Sequence, residues 1–433
     1  MTRDHALNAL PPGWQRVALR RLTVIPVTNG VGEAASELDD DAVRYIRTTD
    51  IQDVFGLDET KRAGLPPERA SAAMLLKGDL LMTAAGATVG KSHLFSSDEP
   101  ACYAGYLVRV RTRRDKAEPR FLAWWTLSTD YSDQVASGAV KSTIENFSAS
   151  KYRGLGVPLP PLERQRAITD FLDRETAQID AMIEAQRGLV ASLEERKAAI
   201  STEIIWGANS GDGRRQVIDP APPVPSHWQV LRNKWLYRES EELSETGEED
   251  LLTVSHITGI TLRSDKTVTM TEAESTEGYR IVHARDLVIN TLWGWMGALG
   301  VSALNGIVSP AYGVYRPTRS GMDPAFMHHL YRSAPYVCEI QRRSTGIWSS
   351  RLRIYPKVFL DMLTVLPPMD EQREIGARLA DAIEQMDRTI EAANSAIALM
   401  QERRSALVSA AVTGRIDPHT GEEPMAEKVL ESV

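Results

Sequence analysis

The alternation of apolar and polar positions predicts two long helices, one at the end of each half of the chain. In both, apolar residues recur in steps of four and three, which is the spacing of a coiled-coil seam. The seam predicted for the first helix comprises Ile168, Leu172, Glu175, Ile179, Met182, Gln186, Leu189, Leu193, Arg196 and Ile200. The seam predicted for the second comprises Ile375, Leu379, Ala382, Met386, Thr389, Ala393, Ala396, Met400, Arg403 and Leu407. Each seam is too polar to stand alone, so we expect the helices to pack on each other; the alternative is that each packs on its own domain.

The two helices are copies of one segment. Residues 160–166 read Pro-Pro-Leu-Glu-Arg-Gln-Arg and residues 367–373 read Pro-Pro-Met-Asp-Glu-Gln-Arg, at an offset of 207 positions. Proline suits the first turn of a helix, and Gly207 and Gly414 predict where the two helices end. A period this long indicates a duplicated half-protein and not a solenoid, whose units are about 20–50 residues.

The segments before the helices predict two domains of one fold. Both open on a tryptophan, Trp14 or Trp228, and both place a strand after a turn, at 78–82 and 285–289. We therefore predict an α+β (mixed) fold, with two similar α/β domains, two long helices that pack as a coiled coil, and a pseudo-twofold internal repeat. The predicted boundaries are 1–158 for the first domain, 159–207 for the first helix, 208–224 for a linker, 225–365 for the second domain, 366–414 for the second helix and 415–433 for a tail.

Composition narrows the class of protein. The chain has 433 residues, 42% of them hydrophobic and 25% charged, which is typical of a globular protein. We find no apolar run long enough for a membrane span and no signal peptide, so we expect a cytoplasmic protein. Two cysteines fit a reducing compartment. The net charge of −8 does not exclude DNA binding, because much of the acidic excess falls in the two helices and the tail.

A near-match to a nucleotide-binding loop occurs at residues 85–92, Ala-Gly-Ala-Thr-Val-Gly-Lys-Ser. The first glycine of the motif is replaced by Ala85, and the second half has Gly297-Ala298 at the place of Gly90-Lys91. We interpret the segment as a turn at a strand end, with Lys91 free to contact a phosphate backbone. Because metal-ligand spacings, a catalytic triad and a methyltransferase loop are all missing from the sequence, we predict a non-catalytic chain without a metal.

Basic and aromatic residues in glycine- and serine-containing loops are the candidates for DNA contact, since such side chains bind phosphates and guanine edges. The candidates are Arg47, Thr49, Lys91, Lys141, Ser142, Arg263, Lys266, Trp293, Trp295, Arg342, Arg343, Arg351 and Arg353. For any one of them, a solvated charge or a packed ring is the alternative. The candidates for contact with partner proteins on the helices are Gln165, Arg166, Gln372, Arg373, Glu184 and Glu391.

The order of these parts resembles the specificity subunit of type I restriction–modification systems. The likeness rests on the two Pro-Pro-Leu/Met helix starts with their glutamine, on the Gly13-Trp14 opening and on Gly78-Asp79-Leu80. The second domain departs from the family pattern, with Arg285-Asp286 for Gly-Asp and Trp293-Gly-Trp295 in the next loop. The resemblance implies that each domain is a target-recognition domain and that the helices are an antiparallel spacer.

The resemblance also implies partners. The chain would read a bipartite, asymmetric site in double-stranded DNA and position two adenine-N6 methyltransferase subunits, joined in restriction by two motor-nuclease subunits. Those partners would use S-adenosylmethionine, and ATP with magnesium for restriction; the chain itself would hold no cofactor. Two alternatives remain open, a coiled-coil scaffold without DNA specificity and an enzyme of another class.

Overall fold

The computed structural model describes residues 10–35, 41–138, 146–207, 213–265, 275–346 and 352–421. The chain divides into two compact units. Unit 1 comprises residues 1–186 and 395–433, and unit 2 comprises residues 187–394. Each unit therefore combines one domain with a segment of both long helices.

The helices are placed mainly by proline and glycine. In the described residues the α-helices are α1 (Pro67–Ala70), α2 (Pro119–Trp125), α3 (Thr129–Gly138), α4 (Ala149–Gly154), α5 (Leu162–Ile205), α6 (Pro324–Arg332), α7 (Ala334–Arg343), α8 (Pro356–Asp361) and α9 (Met369–Val412). Short 3-10 helices cover Leu19–Arg21, Thr48–Asp50, Ser71–Ala73, Asn233–Trp235 and Gly294–Met296. Helices α5 and α9 have 44 residues each, and both end just before a glycine of positive φ, Gly207 or Gly414. The two predicted long helices are confirmed.

Unit 1 is built on an antiparallel four-stranded sheet. Its strands are β1 (Gln15–Ala18), β2 (Thr28–Asn29), β3 (Val43–Ile46), β4 (Gly64–Leu65), β5 (Asp79–Thr83), β6 (Ser92–Leu94), β7 (Ala101–Tyr103), β8 (Leu107–Arg111) and β9 (Gly156–Leu159). The main sheet has the order β2-β8-β5-β6, a second sheet has the order β4-β3-β7, and β1 pairs with β9. The main core lies between the four-stranded sheet and α2, where Phe121 and Trp125 are fully buried.

Unit 2 repeats this plan. Its strands are β10 (Arg214–Arg215), β11 (Val224–Pro225), β12 (Gln229–Arg232), β13 (Tyr237–Glu239), β14 (Leu252–Ser255), β15 (Gly259–Leu262), β16 (Arg280–Val282), β17 (Leu287–Asn290), β18 (Leu299–Val301), β19 (Gly306–Val308), β20 (Tyr312–Pro317) and β21 (Leu363–Leu366). Its main sheet has the order β13-β20-β17-β18, and β12 pairs with β21 as β1 does with β9. The predicted strands at 78–82 and 285–289 are found as β5 and β17, so the two domains share one fold.

In each unit a segment of α5 packs antiparallel to a segment of α9. In unit 1, Arg164 near the start of α5 pairs with Asp417 just beyond α9, at 3.3 Å, whereas Asp180 pairs with Arg404 at 2.8 Å. In unit 2, Lys197 pairs with Asp387 at 2.5 Å. The helix segments also enter the domain cores, Ile168 and Val408 in unit 1 among them. The helix segments therefore pack both on each other and on the domain of their unit, so the two expected modes of packing occur together.

The register of the predicted seam is wrong at several positions. Met182 and Leu189 are 47% and 43% exposed, whereas the neighbouring Ile183 is 5% exposed. In α9, Thr389 is exposed and Ile390 is buried in its place. The cause is that an α-helix has 3.6 residues per turn, so a strict 3.5-residue pattern drifts around the helix unless the sequence corrects it. The large isoleucines take the seam positions.

Candidate nucleic-acid interface

A tight turn after β7 gathers the loops of unit 1 that carry candidate residues. The turn Ala104–Tyr106 is joined by backbone hydrogen bonds to Ile46 at 2.9 Å, to Val31 at 2.7 Å and to Ala84 at 2.8 Å. These bonds place the segments after β3, β2 and β5 beside one another. Tyr106, at the end of the turn, is 67% exposed. The sheet thus presents an exposed aromatic ring beside three loops.

The loop from Ala85 to Lys91 is held against α3. Gly90 has a φ of 87°, its carbonyl oxygen accepts a hydrogen bond from the hydroxyl of Tyr131 at 2.8 Å, and a Cβ there would lie 3.3 Å from Val135. The loop leads into β6 and not into a helix, which a phosphate-binding loop requires. The interpretation as a turn at a strand end is confirmed.

The candidate side chains described in unit 1 have partners within the unit. The ammonium of Lys91 donates a hydrogen bond to the carbonyl oxygen of Ile51 at 2.7 Å. Arg47 pairs with the buried carboxylate of Asp50 at 2.8 Å, and the Thr49 hydroxyl donates to the same carboxylate at 3.0 Å. The sequence had suggested a free Lys91, and the structure corrects this, because the lysine is bonded within its own unit. DNA contact by these three side chains stays a prediction.

The corresponding loop of unit 2 carries tryptophans in place of lysine. Trp293 is 48% exposed and its ring is stacked with that of Trp295, with centroids 6.4 Å apart and planes 21° from parallel. Gly297 has a φ of 91° and lies against Val337 of α7, as Gly90 lies against α3 in unit 1. The Thr291 hydroxyl donates to the carbonyl oxygen of Ala311 at 2.6 Å, which fixes the loop to the turn before β20.

The arginines of unit 2 that were candidates for DNA contact differ in their surroundings. Arg342 donates to the carbonyl oxygen of Asp219 at 2.6 Å, and Arg343 pairs with Glu339. Arg353 is exposed, and its backbone pairs with Thr345. The backbone N–H of Arg263 donates to the carbonyl oxygen of Leu251 at 2.8 Å. The remaining candidates, Lys141, Ser142, Lys266 and Arg351, lie outside the described residues.

Gln165 of α5 is an internal anchor and not a surface residue. Its side chain is fully buried, and its amide oxygen accepts a hydrogen bond from the backbone N–H of Glu118 at 2.8 Å. Its amide nitrogen donates to the carbonyl oxygens of Lys116 at 3.1 Å and Pro160 at 2.8 Å. Three backbone groups of unit 1 are satisfied by this one side chain.

Gln372 of α9 repeats the arrangement in unit 2. It accepts from the N–H of Asp323 at 2.8 Å and donates to the carbonyl oxygens of Gly321 and Pro367, both at 2.9 Å. Burial removes Gln165 and Gln372 from the surface available to a partner protein, which corrects their assignment as partner-binding residues. The other helix candidates, Arg166, Arg373, Glu184 and Glu391, are exposed, and their contact with a partner stays a prediction.

Three residues of the loop surface were missed by sequence reasoning. Tyr106 follows a glycine in the turn that joins the loops of unit 1, and Ile257, 75% exposed, lies in the turn between β14 and β15. Arg332, at the end of α6, donates hydrogen bonds to carbonyl oxygens of two loops of unit 2. A glycine–aromatic pair could have pointed to Tyr106; the other two gave no local signal.

The buried titratable groups serve packing. Burial lowers the pKa of His328 to about 4, and the imidazole Nδ1 lies 3.2 Å from the carbonyl oxygen of Val301. Burial also lowers the pKa of His329 and His93 and raises that of the Cys102 thiol to about 11. Within the described ranges, no three His, Cys, Asp or Glu side chains come together as a metal site would require. Nor does any helix in those ranges have the length and apolarity to cross a membrane.

Comparison with known proteins identifies the first domain. Residues 29–188 match the family model described as the type I restriction modification DNA specificity domain. The chain is 26% identical over 179 residues to the EcoKI specificity subunit of Escherichia coli K12, and 24% identical over 178 residues to the StySPI specificity subunit of Salmonella potsdam. Each match covers 40% of this chain. The chain thereby spans about 38% of the length of either relative. The EcoBI specificity subunit of Escherichia coli is 20% identical, covering 95% of this chain and 88% of its own.

Solved structures show the same fold over nearly the whole chain. A chain from a study of complex assembly and conformational transition in a type I restriction–modification system has a TM-score of 0.65 at 16% identity, covering 93% of this chain and 98% of its own. The HsdS subunit of Thermoanaerobacter tengcongensis has a TM-score of 0.53 at 18% identity, covering 94% and 98%.

The likeness thus comprises a DNA specificity domain in the first part of the chain and a shared fold over the rest. The chain is similar to specificity subunits of type I restriction–modification systems, in sequence over the DNA specificity domain at residues 29–188 and in fold over nearly its whole length.

Proposed function

We propose that this chain is the DNA-reading subunit of a type I restriction–modification complex and recognises a bipartite, asymmetric site in double-stranded DNA. Each domain would read one half-site with the loops that follow its central strands. The phosphate backbone would supply much of the affinity and base contacts in the grooves the specificity.

One observation carries this proposal: the two domains share their frame and differ in their loops. Lys91 occupies the end of the loop in unit 1, whereas Ala298 stands there in unit 2 and Trp293 is exposed nearby. An exposed indole can stack on or contact a base, and a lysine cannot stack in this way. Two unlike surfaces on one frame are what an asymmetric site needs.

The chain would act through partners and without catalysis of its own. We propose that it assembles with two adenine-N6 methyltransferase subunits, which use S-adenosylmethionine, and in restriction with two motor-nuclease subunits, which use ATP and magnesium. Exposed polar residues of the helices, Arg166, Arg373, Glu184 and Glu391, are the proposed contacts with these proteins. Acidic helix surfaces suit a protein partner better than they suit DNA.

The experiment that tests this function is a genome-wide map of N6-methyladenine after co-expression of this chain with the methyltransferase encoded beside it. We expect a single motif of two unlike halves, which vanishes when the chain is left out. The matched control is the methyltransferase with a chain that carries Trp235→Ala, an exposed indole of the 3-10 helix Asn233–Trp235 outside the proposed reading loops, and it should give the unchanged motif.

A scaffold without DNA specificity predicts another result. The complex would then form, as gel filtration would show, and the methylated positions would not change with or without this chain. That outcome would remove the DNA-reading function and leave the paired helices as the functional part of the molecule.

A further inference from the structure

In unit 1 a lysine ties two loops together. The Lys91 ammonium, at the end of the loop after β5, donates a hydrogen bond to the carbonyl oxygen of Ile51, 40 residues earlier, at 2.7 Å. Ile51 directly follows the short 3-10 helix that carries Thr49. The bond therefore fixes the distance between two segments that hold candidate DNA contacts.

In unit 2 an arginine makes the corresponding connection. Arg332 donates to the carbonyl oxygens of Ser255, the last residue of β14, at 3.1 Å and of Ile257, in the turn between β14 and β15, at 3.0 Å. It also donates to those of Gly297 at 3.3 Å and Leu299 at 2.9 Å, at the end of the tryptophan loop. One guanidinium thus joins the turn that exposes Ile257 to the loop that exposes Trp293.

The two connections join corresponding segments of the repeat, but the side chains that make them come from different elements. Residues 45–51 and 251–257 are corresponding segments of the sequence repeat, and Ile51 and Ile257 are the last residues of these segments. Ala298 stands where unit 1 has Lys91 and has no side-chain donor, and Arg332 reaches the carbonyl oxygens of the neighbouring Gly297 and Leu299 from α6. The same link is made by two unrelated side chains.

We propose that Lys91 and Arg332 are positioning residues that hold the two reading loops of each domain at a fixed separation. The inference rests on the proposed DNA-reading function and assigns Lys91 a task other than phosphate contact. A lysine that faces a carbonyl oxygen of its own domain orders a loop before DNA arrives, and preorganisation of this kind increases selectivity.

The electrostatic setting agrees with an internal role for Arg332. Burial lowers the pKa of its guanidinium, and its described acceptors are backbone oxygens. A guanidinium offers five N–H donors in a fixed plane, so it can serve several carbonyl oxygens at once. A side chain so placed has little freedom left to reach a phosphate.

The test uses the full complex of this chain with its methyltransferase and a duplex library in which each half-site of the motif is randomised. Lys91→Met and Arg332→Met remove the donors and keep most of the aliphatic stem, and Lys91→Arg and Arg332→Lys return a cation. Lys116→Met in unit 1 and Arg319→Met in unit 2 are controls, because both replace an exposed cation away from these loops.

We expect Lys91→Met to relax the sequence preference of one half-site by roughly tenfold and to leave the other half-site unchanged. Arg332→Met should do the same to the opposite half-site. Lys91→Arg and Arg332→Lys should restore much of the preference. The salt dependence of binding should stay as in the unsubstituted chain, since no phosphate contact is lost.

A different pattern would overturn the inference. If Lys91 binds a phosphate, Lys91→Met weakens all sequences alike and reduces the slope of log K against log salt by about 1. Equal losses at both half-sites together with lower thermal stability would indicate general destabilisation. Because Arg332→Met removes several bonds and could impair folding, Lys91→Met decides the outcome. Failure of the unsubstituted chain to direct any motif would instead reject the proposed function.

Discussion

The two units are closely similar on the side of each domain that faces the helices. They differ on the side that carries the loops. Towards the helices, Gln165 and Gln372 make the same three hydrogen bonds. At the loops, Lys91 in unit 1 and Trp293 in unit 2 have no counterpart in the other unit. Under the proposed function, the repeated frame would serve assembly and the varied loops would serve reading of DNA, in different regions of one domain.

A buried ion pair shows how far the agreement extends into the domains. Arg111 pairs with Asp79 at 2.7 Å, and Arg316 pairs with Asp286 at 3.1 Å. Each aspartate is 2% exposed in its side chain and follows the same kind of turn, entered through Gly78 in one unit and Arg285 in the other. The frame therefore extends to the start of the central strand in both units, and the loops that differ follow the far end of that strand.

The largest expected effect comes from removing this ion pair. Asp79→Ala and Asp286→Ala each leave a guanidinium without its partner, which should destabilise the affected unit by about 3 kcal/mol. Hydrogen exchange of β5 and β17, followed by mass spectrometry, would measure the loss in each unit separately. Equal losses would support the shared frame; a difference above roughly 1.5 kcal/mol would contradict it.

Acid should lower the stability of unit 2 through protonation of His328. Its folded-state pKa of about 4 lies below the unfolded value of 6.5, so the unfolded state binds more protons between these values. Stability is full above pH 6.5 and falls as the pH decreases towards 4, by about 2 kcal/mol between pH 7 and pH 5. Urea denaturation of the full chain and of His328→Gln at both pH values would measure this. A His328→Gln chain with unchanged pH dependence would contradict the assignment to His328.

Replacement of either buried glutamine should reduce stability by nearly the same amount. Gln165→Leu and Gln372→Leu each leave three backbone groups without a partner, and we expect a loss of about 2 kcal/mol for either. The control is Gln401→Leu, an exposed position of α9, which should change stability by less than about 0.5 kcal/mol. Thermal denaturation of the three variants would rank them. A Gln165→Leu chain as stable as the control would disprove the anchoring role.

The smallest effect concerns the turn before the central strand. Arg285 has a φ of 78°, a backbone region that glycine adopts without strain, as Gly78 does at 96° in unit 1. Arg285→Gly should therefore stabilise unit 2 by about 1 kcal/mol, offset in part by the lost bond from Arg285 to the Met322 carbonyl oxygen. The reciprocal Gly78→Arg should destabilise unit 1 by a similar amount. Calorimetry of both would check the signs, and a stabilising Gly78→Arg would be inconsistent with equivalent turns.

Local chemistry made much of the frame predictable from the sequence. Proline at the start and glycine at the end of a helix act within a few residues, so the bounds of α5 and α9 followed from Pro161 and Gly207 and their copies. The strand after Gly78 followed in the same way. The register of the seam could not be predicted in this way, because the local pattern does not decide which of two adjacent apolar residues, Met182 or Ile183, is buried.

The loop surface was harder to predict because its contacts are distant in sequence. Lys91 reaches a carbonyl oxygen 40 positions away, and Arg332 reaches one 75 positions away. A backbone oxygen has no sequence signature, so a basic residue that binds one looks like a residue free to bind DNA. Tyr106 was missed for a related reason, since its exposure follows from a turn that three loops share.

The proposed function assigns one half of an asymmetric DNA site to each domain. The most direct test compares Tyr106→Ala in unit 1 with Trp293→Ala in unit 2, in methylation of a duplex library by the assembled complex. We expect each variant to alter sequence preference in one half-site only, and the two variants to alter opposite halves. Loss of preference in both halves by either variant, or in the same half by both, would contradict it.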